Sequence, residues 1–288
     1  MGENKICITT DCVCDLPDEI LKSNNVDLIY FYIETDSGRF KDVDEITAQN
    51  VFDYLGNGGV KTITEAPPTD EFVSFFSEKL KAYDHVIHIA ISSKISKSVS
   101  NAEQAIEQLG TEGKRVHIVD SGHLSTGIAH MVLRAAEMVR SGSDTEKIIS
   151  EMDDMRSRVS TSFMADNTDY LYLNGQVSKV IHKICTMFHI HPVLAMNKGY
   201  LKLRSCYIGN YRKSAARYIR VELKDNKKIK SNRLFITHAG CSTNDIKMIK
   251  KYVSSIMKFD EVVVTKASAT ISSNSGPRTF GLLYIKEK

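Results

Sequence analysis

The sequence contains no tryptophan and no run of about 18 apolar residues in its 288 positions. A membrane-spanning helix requires such a run, so we expect no stable membrane insertion. The first ten residues, MGENKICITT, are typical of the start of a strand and lack the charged and then apolar pattern of a secretion signal. We therefore expect a cytoplasmic protein.

The chain also has no large excess of charge of one sign, because 38 basic and 35 acidic residues leave a net charge of +3. The basic residues are dispersed, and only residues 224–230 and 247–251 resemble clusters, which we interpret as a loop and a solvated helix end. A nucleic-acid-binding face would need concentrated basic residues with aromatic platforms between them. We expect no nucleic-acid partner.

Cysteine is sparse, and its six positions are scattered, which is typical of reduced, packed thiols rather than of a disulfide framework. Cys12 and Cys14 form a C-x-C pair, but no second pair is available to complete a zinc site. His182, His189 and His191 lack the spacing with a nearby acid that a helical metal site needs. We predict no metal ligands and no cofactor.

The glycine-rich signatures of nucleotide enzymes and hydrolases are missing as well. Residues 110–114, GTEGK, lack the spacing of a phosphate-binding loop and precede a predicted strand, so they are typical of a turn. Residues 122–127, GHLSTG, are one position too long for the G-x-S-x-G elbow of α/β hydrolases. We predict no catalytic residue.

What the sequence does contain is an alternation of short β-branched runs with longer amphipathic runs, which predicts an α/β protein. The length favours two domains, which we place at residues 1–158 and 159–288. We expect a mostly parallel sheet flanked by helices in the first domain and a mixed sheet in the second. Predicted strands cover residues 5–9, 26–33, 85–90, 114–120, 162–165, 191–196, 200–207, 234–238, 261–266 and 280–286. One predicted helix follows Pro17, and the other predicted helices cover residues 70–83, 97–109, 125–140, 145–158, 211–223 and 244–257.

Three local predictions accompany this pattern. Thr69 is the expected N-cap of the helix at residues 70–83. Residues 197–199, Asn-Lys-Gly, predict a hairpin turn between two strands. The Ser/Thr-rich segment at residues 267–275 predicts a loop or a strand edge.

Hydroxyl side chains are concentrated in the loops that follow predicted strands. Ligands of open α/β sheets bind at the carboxyl ends of the strands, where such loops lie. Each of these hydroxyls could instead cap a helix, as Ser96 or Ser98 could for the helix at residues 97–109. The hydroxyls in question are Thr62, Thr64, Ser92, Ser93, Ser96, Ser98, Ser121, Ser125, Ser272, Ser273 and Ser275.

These loops carry motifs that, in order and over nearly the whole chain, resemble those of the DegV family. Residues 10–17, TDCVCDLP, resemble T-D-S-x-x-D-L-P, and residues 64–68, TEAPP, followed by Phe72, resemble T-S-Q-P-S/A-x-x-x-F. Residues 91–98, ISSKISKS, resemble I-S-S-x-L-S-G-T. The remaining matches are VDS at 119–121 with Ser125 and Gly127, YLYLNG at 170–175 with Ser178, and GP at 276–277 with GL at 281–282.

The resemblance implies a non-enzymatic protein that binds one long-chain fatty acid, for example palmitate, without a covalent bond. It places the carboxylate between the domains, at Thr64 and Ser96, and most of the acyl tail in the second domain. We predict Ser93, Ser121, Asn274 and Gln176 as neighbours of the head group. Some members of the family present the acid to an ATP-dependent fatty acid kinase subunit, which is therefore a possible partner.

The chain departs from the kinase-coupled members of that family at three cationic positions. Gln176 replaces an arginine, Asn274 replaces a histidine, and a further arginine has only Arg212 as its nearest counterpart. Because cations stabilise a transferring phosphoryl group, we expect kinase coupling to be weakened, altered or lost. Lys97, at a glycine position of the family, either returns a charge to the head group or faces solvent.

Two other classes of function remain open at this stage. The first is a small-molecule enzyme of the related kinase and phosphotransferase folds, although no histidine lies in a matching motif. The second is a pure interaction protein with no internal cavity. The acyl chain length, its unsaturation and the oligomeric state are not encoded in any local pattern.

Overall fold

The computed structural model describes residues 5–288. Residues 1–4, which belong to the amino-terminal segment and to the predicted first domain, lie outside it. Its strands are β1 (Ile6–Asp11), β2 (Val26–Ile29), β3 (Tyr32–Thr35), β4 (Gly38–Lys41), β5 (Ile63–Glu65), β6 (His85–Ala90), β7 (Val116–Asp120), β8 (Val159–Met164), β9 (Ile190–Asn197), β10 (Tyr200–Ile208), β11 (Ile229–Ala239), β12 (Glu261–Lys266) and β13 (Thr279–Lys286). Its α-helices are α1 (Asp18–Ser23), α2 (Ala48–Gly56), α3 (Thr69–Leu80), α4 (Ser98–Leu109), α5 (Thr126–Arg140), α6 (Thr145–Arg158), α7 (Asp169–Leu173), α8 (Lys179–Met187), α9 (Tyr211–Glu222), α10 (Thr243–Ile256) and α11 (Ala269–Ser275).

The first half of the chain is organised around a four-stranded parallel sheet in the order β2-β1-β6-β7. All six residues of β1 are buried, as expected of a parallel strand covered on both faces. Phe72 and Phe76 of α3 pack in one hydrophobic cluster with Ala102 of α4. Helices α5 and α6 contribute to a second cluster, which includes Ile128. The sheet is therefore held between two layers of helices.

The second half forms a six-stranded mixed sheet in the order β10-β9-β8-β13-β11-β12, in which only β11 and β12 pair in parallel. Its two faces are buried against different partners because alternate residues of a strand point to opposite sides. Leu234 and Ile236 belong to the cluster that contains α9 and α10. Phe235, between them, belongs to the cluster that contains α5. Helix α5 thus lies between the two large sheets.

The α/β class, with a parallel sheet in the first half and a mixed sheet in the second, is confirmed. The predicted hairpin is confirmed too, since Asn197 pairs with Tyr200 and the φ angles of Lys198 and Gly199 are 51° and 82°. Among residues 5–288, no helix is long and apolar enough to cross a bilayer.

The single strand predicted at residues 26–33 is wrong. The chain leaves the parallel sheet at Ile29 and enters a small antiparallel sheet, in the order β4-β3-β5, at Tyr32. A β-branched and aromatic composition continues through both strands, so the turn between them leaves no compositional signal. Helices α2, α7 and α8 were not predicted.

Two further local predictions are wrong. Thr69 is the first residue of α3 rather than its N-cap, which is Pro68, and the Thr69 hydroxyl donates to Gln104 Oε1 at 3.1 Å. The segment at residues 267–275 is neither a loop nor a strand edge but contains α11. Ser268 caps this helix by accepting the N–H of Ile271, and two distant carboxylates bind its other free amides.

Candidate functional site

The two halves of the molecule enclose a cavity of about 1210 Å³. This volume is somewhat larger than the range of about 300–1,000 Å³ that is common for small-molecule sites. One side of the cavity is formed by loops at the carboxyl ends of the parallel strands, and the other by the mixed sheet and α11. Large apolar side chains supply much of the wall, including Ile91, Leu124, Phe163, Leu194, Leu201 and Leu283.

Five of the six predicted site residues lie on the wall of this cavity, namely Thr64, Ser93, Ser96, Gln176 and Asn274. The sixth, Ser121, is fully buried and is not part of the wall. Its hydroxyl donates to the carbonyl of His123 at 3.3 Å and accepts the N–H of the same residue at 3.1 Å. Ser121 thus stabilises the turn after β7.

The segments that carry Thr64 and Ser96 are held next to each other. Thr64 lies on β5, opposite Ile33, and the chain continues from there to Pro67. The Asn101 side chain of α4 donates to the Pro67 carbonyl at 2.8 Å. Because Ser96 lies just before α4, this hydrogen bond holds the segment that follows Thr64 next to the helix that follows Ser96.

A buried carboxylate at the end of β1 anchors the loop of Ser96. Asp11 accepts the N–H of Ile91 at 2.8 Å and the hydroxyl of Ser98 at 2.7 Å. These two residues bracket the segment that contains Ser93 and Ser96. The Ser96 hydroxyl accepts the N–H of Ser98 at 3.1 Å, and its own proton stays available. The N-cap of α4 is Lys97, without a side-chain cap hydrogen bond, so the prediction that Ser96 or Ser98 caps this helix is wrong.

Ser93 is tied to the neighbouring strand end. Its hydroxyl donates to Asp120 at 2.5 Å, and Asp120 also accepts the N–H of Gly122 at 2.9 Å. Ser93 is exposed and its proton is used by this carboxylate. Of the two loop serines on the wall, Ser96 is therefore the better donor to a ligand.

Two buried aspartates connect the first half of the chain to α11. Asp42 accepts the N–H groups of Ala269 and Thr270, both at 2.8 Å, and Asp15 accepts the N–H of Ser268 at 2.8 Å and the hydroxyl of Ser125. Burial raises the pKa of Asp15 to about 7 and also raises the pKa of Asp42. Through their hydrogen bonds to the start of α11, both side chains hold in place a helix that forms part of the cavity wall.

Ser125, on the cavity wall, has an unusual backbone conformation with φ 55° and ψ −146°. A residue other than glycine is strained in this region, and surrounding contacts must hold it there. The hydrogen bond from its side chain to Asp15 is one such contact.

Gln176 and Asn274 lie side by side on the wall. The Gln176 amide donates to Asn274 Oδ1 at 3.4 Å, and the Asn274 amide donates to the Thr270 carbonyl at 2.9 Å. Both side chains are neutral, so this pair brings no positive charge to the cavity.

Sequence reasoning missed two cations on the wall, Arg39 and Lys94. Arg39 stacks on the ring of Tyr32, 3.5 Å from the centroid, and its Nε lies 3.2 Å from Glu65. Nothing in the local sequence distinguishes this arginine from a surface residue. Lys97 is exposed and also lies on the wall, whereas Arg212, at the start of α9, does not.

Within residues 5–288 no group of three or more His, Cys, Asp or Glu side chains is arranged to hold a metal ion. Burial raises the pKa of the Cys12 and Cys14 thiols well above the usual range, which disfavours the thiolate that a metal requires. The His191 ring is already engaged by the carbonyls of Asp166 and Gly209, at 2.6 and 2.8 Å.

Comparison with known proteins gives a consistent result over the full length. The family profile described as "Uncharacterised protein, DegV family" matches residues 5–287. A DegV domain-containing protein of Caldanaerobacter subterraneus subsp. tengcongensis is 28% identical and covers 97% of this chain and 98% of its own length.

Solved structures show the same fold. A DegV family protein from Thermus thermophilus, described for its fatty acid binding, superimposes with a TM-score of 0.87 at 25% identity and covers 98% of this chain and 100% of its own. DegV from Bacillus subtilis, described as a fatty acid binding protein, gives a TM-score of 0.84 at 22% identity, with coverages of 99% and 100%. With a family profile that spans all but the ends of the chain, this protein belongs to the DegV family.

Proposed function

We propose that this chain binds one long-chain fatty acid non-covalently, with the carboxylate at Thr64 and Ser96 between two domains that meet near residue 158. The acyl tail extends mainly along residues 159–288. The observation that carries the proposal is the cavity of about 1210 Å³, whose apolar wall includes these two hydroxyls. The fatty acid binding described for the relative from Thermus thermophilus supports the same class of ligand.

The tail supplies most of the binding free energy in this proposal. A palmitate chain has about 14 methylenes, and burial of each contributes about 0.8 kcal/mol, for a gross gain of about 11 kcal/mol before ordering costs. The wall residues Phe163, Leu194 and Leu283 provide an apolar surface for this contact. The head group then needs orientation more than strong attraction.

Hydroxyl donors suit a carboxylate in such a site. Within residues 5–288 the Thr64 side chain makes no hydrogen bond to protein, and the Ser96 hydroxyl retains its proton. Two neutral donors satisfy carboxylate oxygens without the cost of desolvating a cation. Neither hydroxyl has a histidine or carboxylate as its hydrogen-bond partner, so neither has a base to activate it. We propose binding without chemistry by this chain alone.

The test is loss of binding in the double variant Thr64→Val with Ser96→Ala. We expect palmitate affinity to fall about 100-fold, since two hydrogen bonds to a charged group are lost. The matched control, Thr111→Val with Ser74→Ala, removes the same atoms at exposed positions away from the cavity wall and should bind like the wild type. Unchanged affinity in the first variant, measured by equilibrium partition of radiolabelled palmitate, would refute the site.

We also propose that presentation of the acid to a kinase subunit is weakened or lost. The neutral pair of Gln176 and Asn274 supports this, because neither side chain can supply a positive charge to a phosphoryl group. Arg212 lies at the start of α9, away from the wall. A phosphoryl group at the head of the ligand would meet neutral side chains at Gln176 and Asn274, and Arg212 is not on the wall to replace them.

A further inference from the structure

Most hydroxyls on the cavity wall have a hydrogen-bond partner within the protein. These hydroxyls do not need a ligand, because one hydrogen-bond partner is enough to satisfy a buried polar group. The Thr270 hydroxyl is also buried without a hydrogen-bond partner among the described residues, but it interacts with the buried Asp42 carboxyl, which accepts the Thr270 backbone N–H. The paired wall hydroxyls are Ser93, Ser125, Thr161, Ser162, Thr168, Thr237 and Thr279.

Ser275, the last residue of α11, is different. It lies on the cavity wall, its residue surface is 5% exposed, and its hydroxyl has no partner among the described residues. A serine inside a helix commonly donates to a carbonyl three or four residues earlier, as Ser273 does to Thr270 at 3.0 Å. Ser275 makes no such bond. An unsatisfied buried hydroxyl is costly, so an acceptor on an occupant of the cavity would stabilise it.

The chemistry of a fatty acid identifies which part of it can do so. Methylene groups accept no hydrogen bond, and the two carboxylate oxygens together offer about four acceptor sites. Thr64 and Ser96 use two of these in the proposed function. A saturated acid can therefore satisfy Ser275 only with its carboxylate.

We propose that the Ser275 hydroxyl donates to the carboxylate of the bound acid as a third head-group contact, beside Thr64 and Ser96. This inference rests on the proposed function and adds a contact from the second half of the chain. Asn274 precedes Ser275 on the same helix and also lies on the wall, while its amide is bound to the Thr270 carbonyl. The serine is thus the free donor of this pair of neighbours.

The proposal predicts two opposite effects of Ser275→Ala. The unliganded variant should melt at or above the wild-type temperature, because no protein hydrogen bond is lost and alanine is the better helix former. Palmitate affinity should fall about tenfold, while the affinity for hexadecane, which has no acceptor, should change less than about twofold. Ser273→Ala is the matched control, since Ser273 is 1% exposed on the same helix but not on the wall, and its palmitate affinity should equal that of the wild type.

Affinities are measured by equilibrium partition of radiolabelled ligand into delipidated protein. Wild-type palmitate binding by Ser275→Ala would overturn the inference and assign a buried water to this hydroxyl. An equal loss of palmitate and hexadecane would also overturn it, because the serine would then act through packing. If the wild type binds no fatty acid at all, the proposed function itself is refuted. This result differs from failure of the Ser275 inference alone, in which the wild type still binds palmitate.

Discussion

Replacement of Asp15 by asparagine should change how stability depends on pH. Asp15 is buried, and its environment raises the pKa from 3.8 to about 7. Between these values the folded state holds a proton that the unfolded state releases, so folding becomes less favourable as pH rises from about 4 to 7. A shift of about three pKa units corresponds to about 4 kcal/mol. This is an upper value for the stability lost through this one group.

The variant Asp15→Asn is neutral at every pH and lacks this dependence. Its amide can still accept the N–H of Ser268 and donate to the Ser125 oxygen, so a constant offset is expected from altered hydrogen bonding. The free energy of unfolding of both proteins is measured in urea at intervals from pH 4.5 to 8.5. The difference, variant minus wild type, should increase by up to about 3 kcal/mol over this range, because about 1 kcal/mol of the full effect is already lost below pH 4.5.

Subtraction removes the titration of all groups that the two proteins share. A difference that stays constant with pH would refute the raised pKa of Asp15 and the role of burial in it.

Two further predictions concern the cavity and the partner. Leu194→Trp places a larger side chain on the cavity wall at β9. Palmitate affinity should fall about tenfold, while a 12-carbon acid should bind as before. Equal losses of affinity for both acids would contradict the proposed position of the tail. The double variant Gln176→Arg with Asn274→His should increase acyl-phosphate formation about tenfold in an assay with an ATP-dependent fatty acid kinase subunit. Rapid acyl-phosphate formation with the wild-type chain would contradict weakened coupling.

The sequence is a good guide to the fold where hydrophobic periodicity dominates. Strands β1, β6 and β7 and helices α4 and α5 follow from it, because each buries a continuous apolar run or stripe. Helix α11 could not be found in this way. Its residues are mostly Ser, Thr and Asn, and its free amides are bound by Asp15 and Asp42, more than 220 positions away.

The site shows the same limit. The positions of Thr64 and Ser96 follow from motifs, but the free state of the Ser275 hydroxyl depends on bonds that only the folded structure reveals. Arg39 reaches the cavity through the antiparallel pairing of β3 with β4 and β5, which joins segments about 25 positions apart. Ser121 has the same residue type and loop position as Ser96, yet its hydroxyl is used by the local turn.

The most direct test of lipid binding is native mass spectrometry of the protein as purified and again after delipidation and incubation with palmitate. We predict one fatty acid per chain, retained without a covalent bond and released by organic solvent. A chain that carries no lipid as purified and takes up none after incubation would contradict fatty acid binding and leave only the fold and the family assignment.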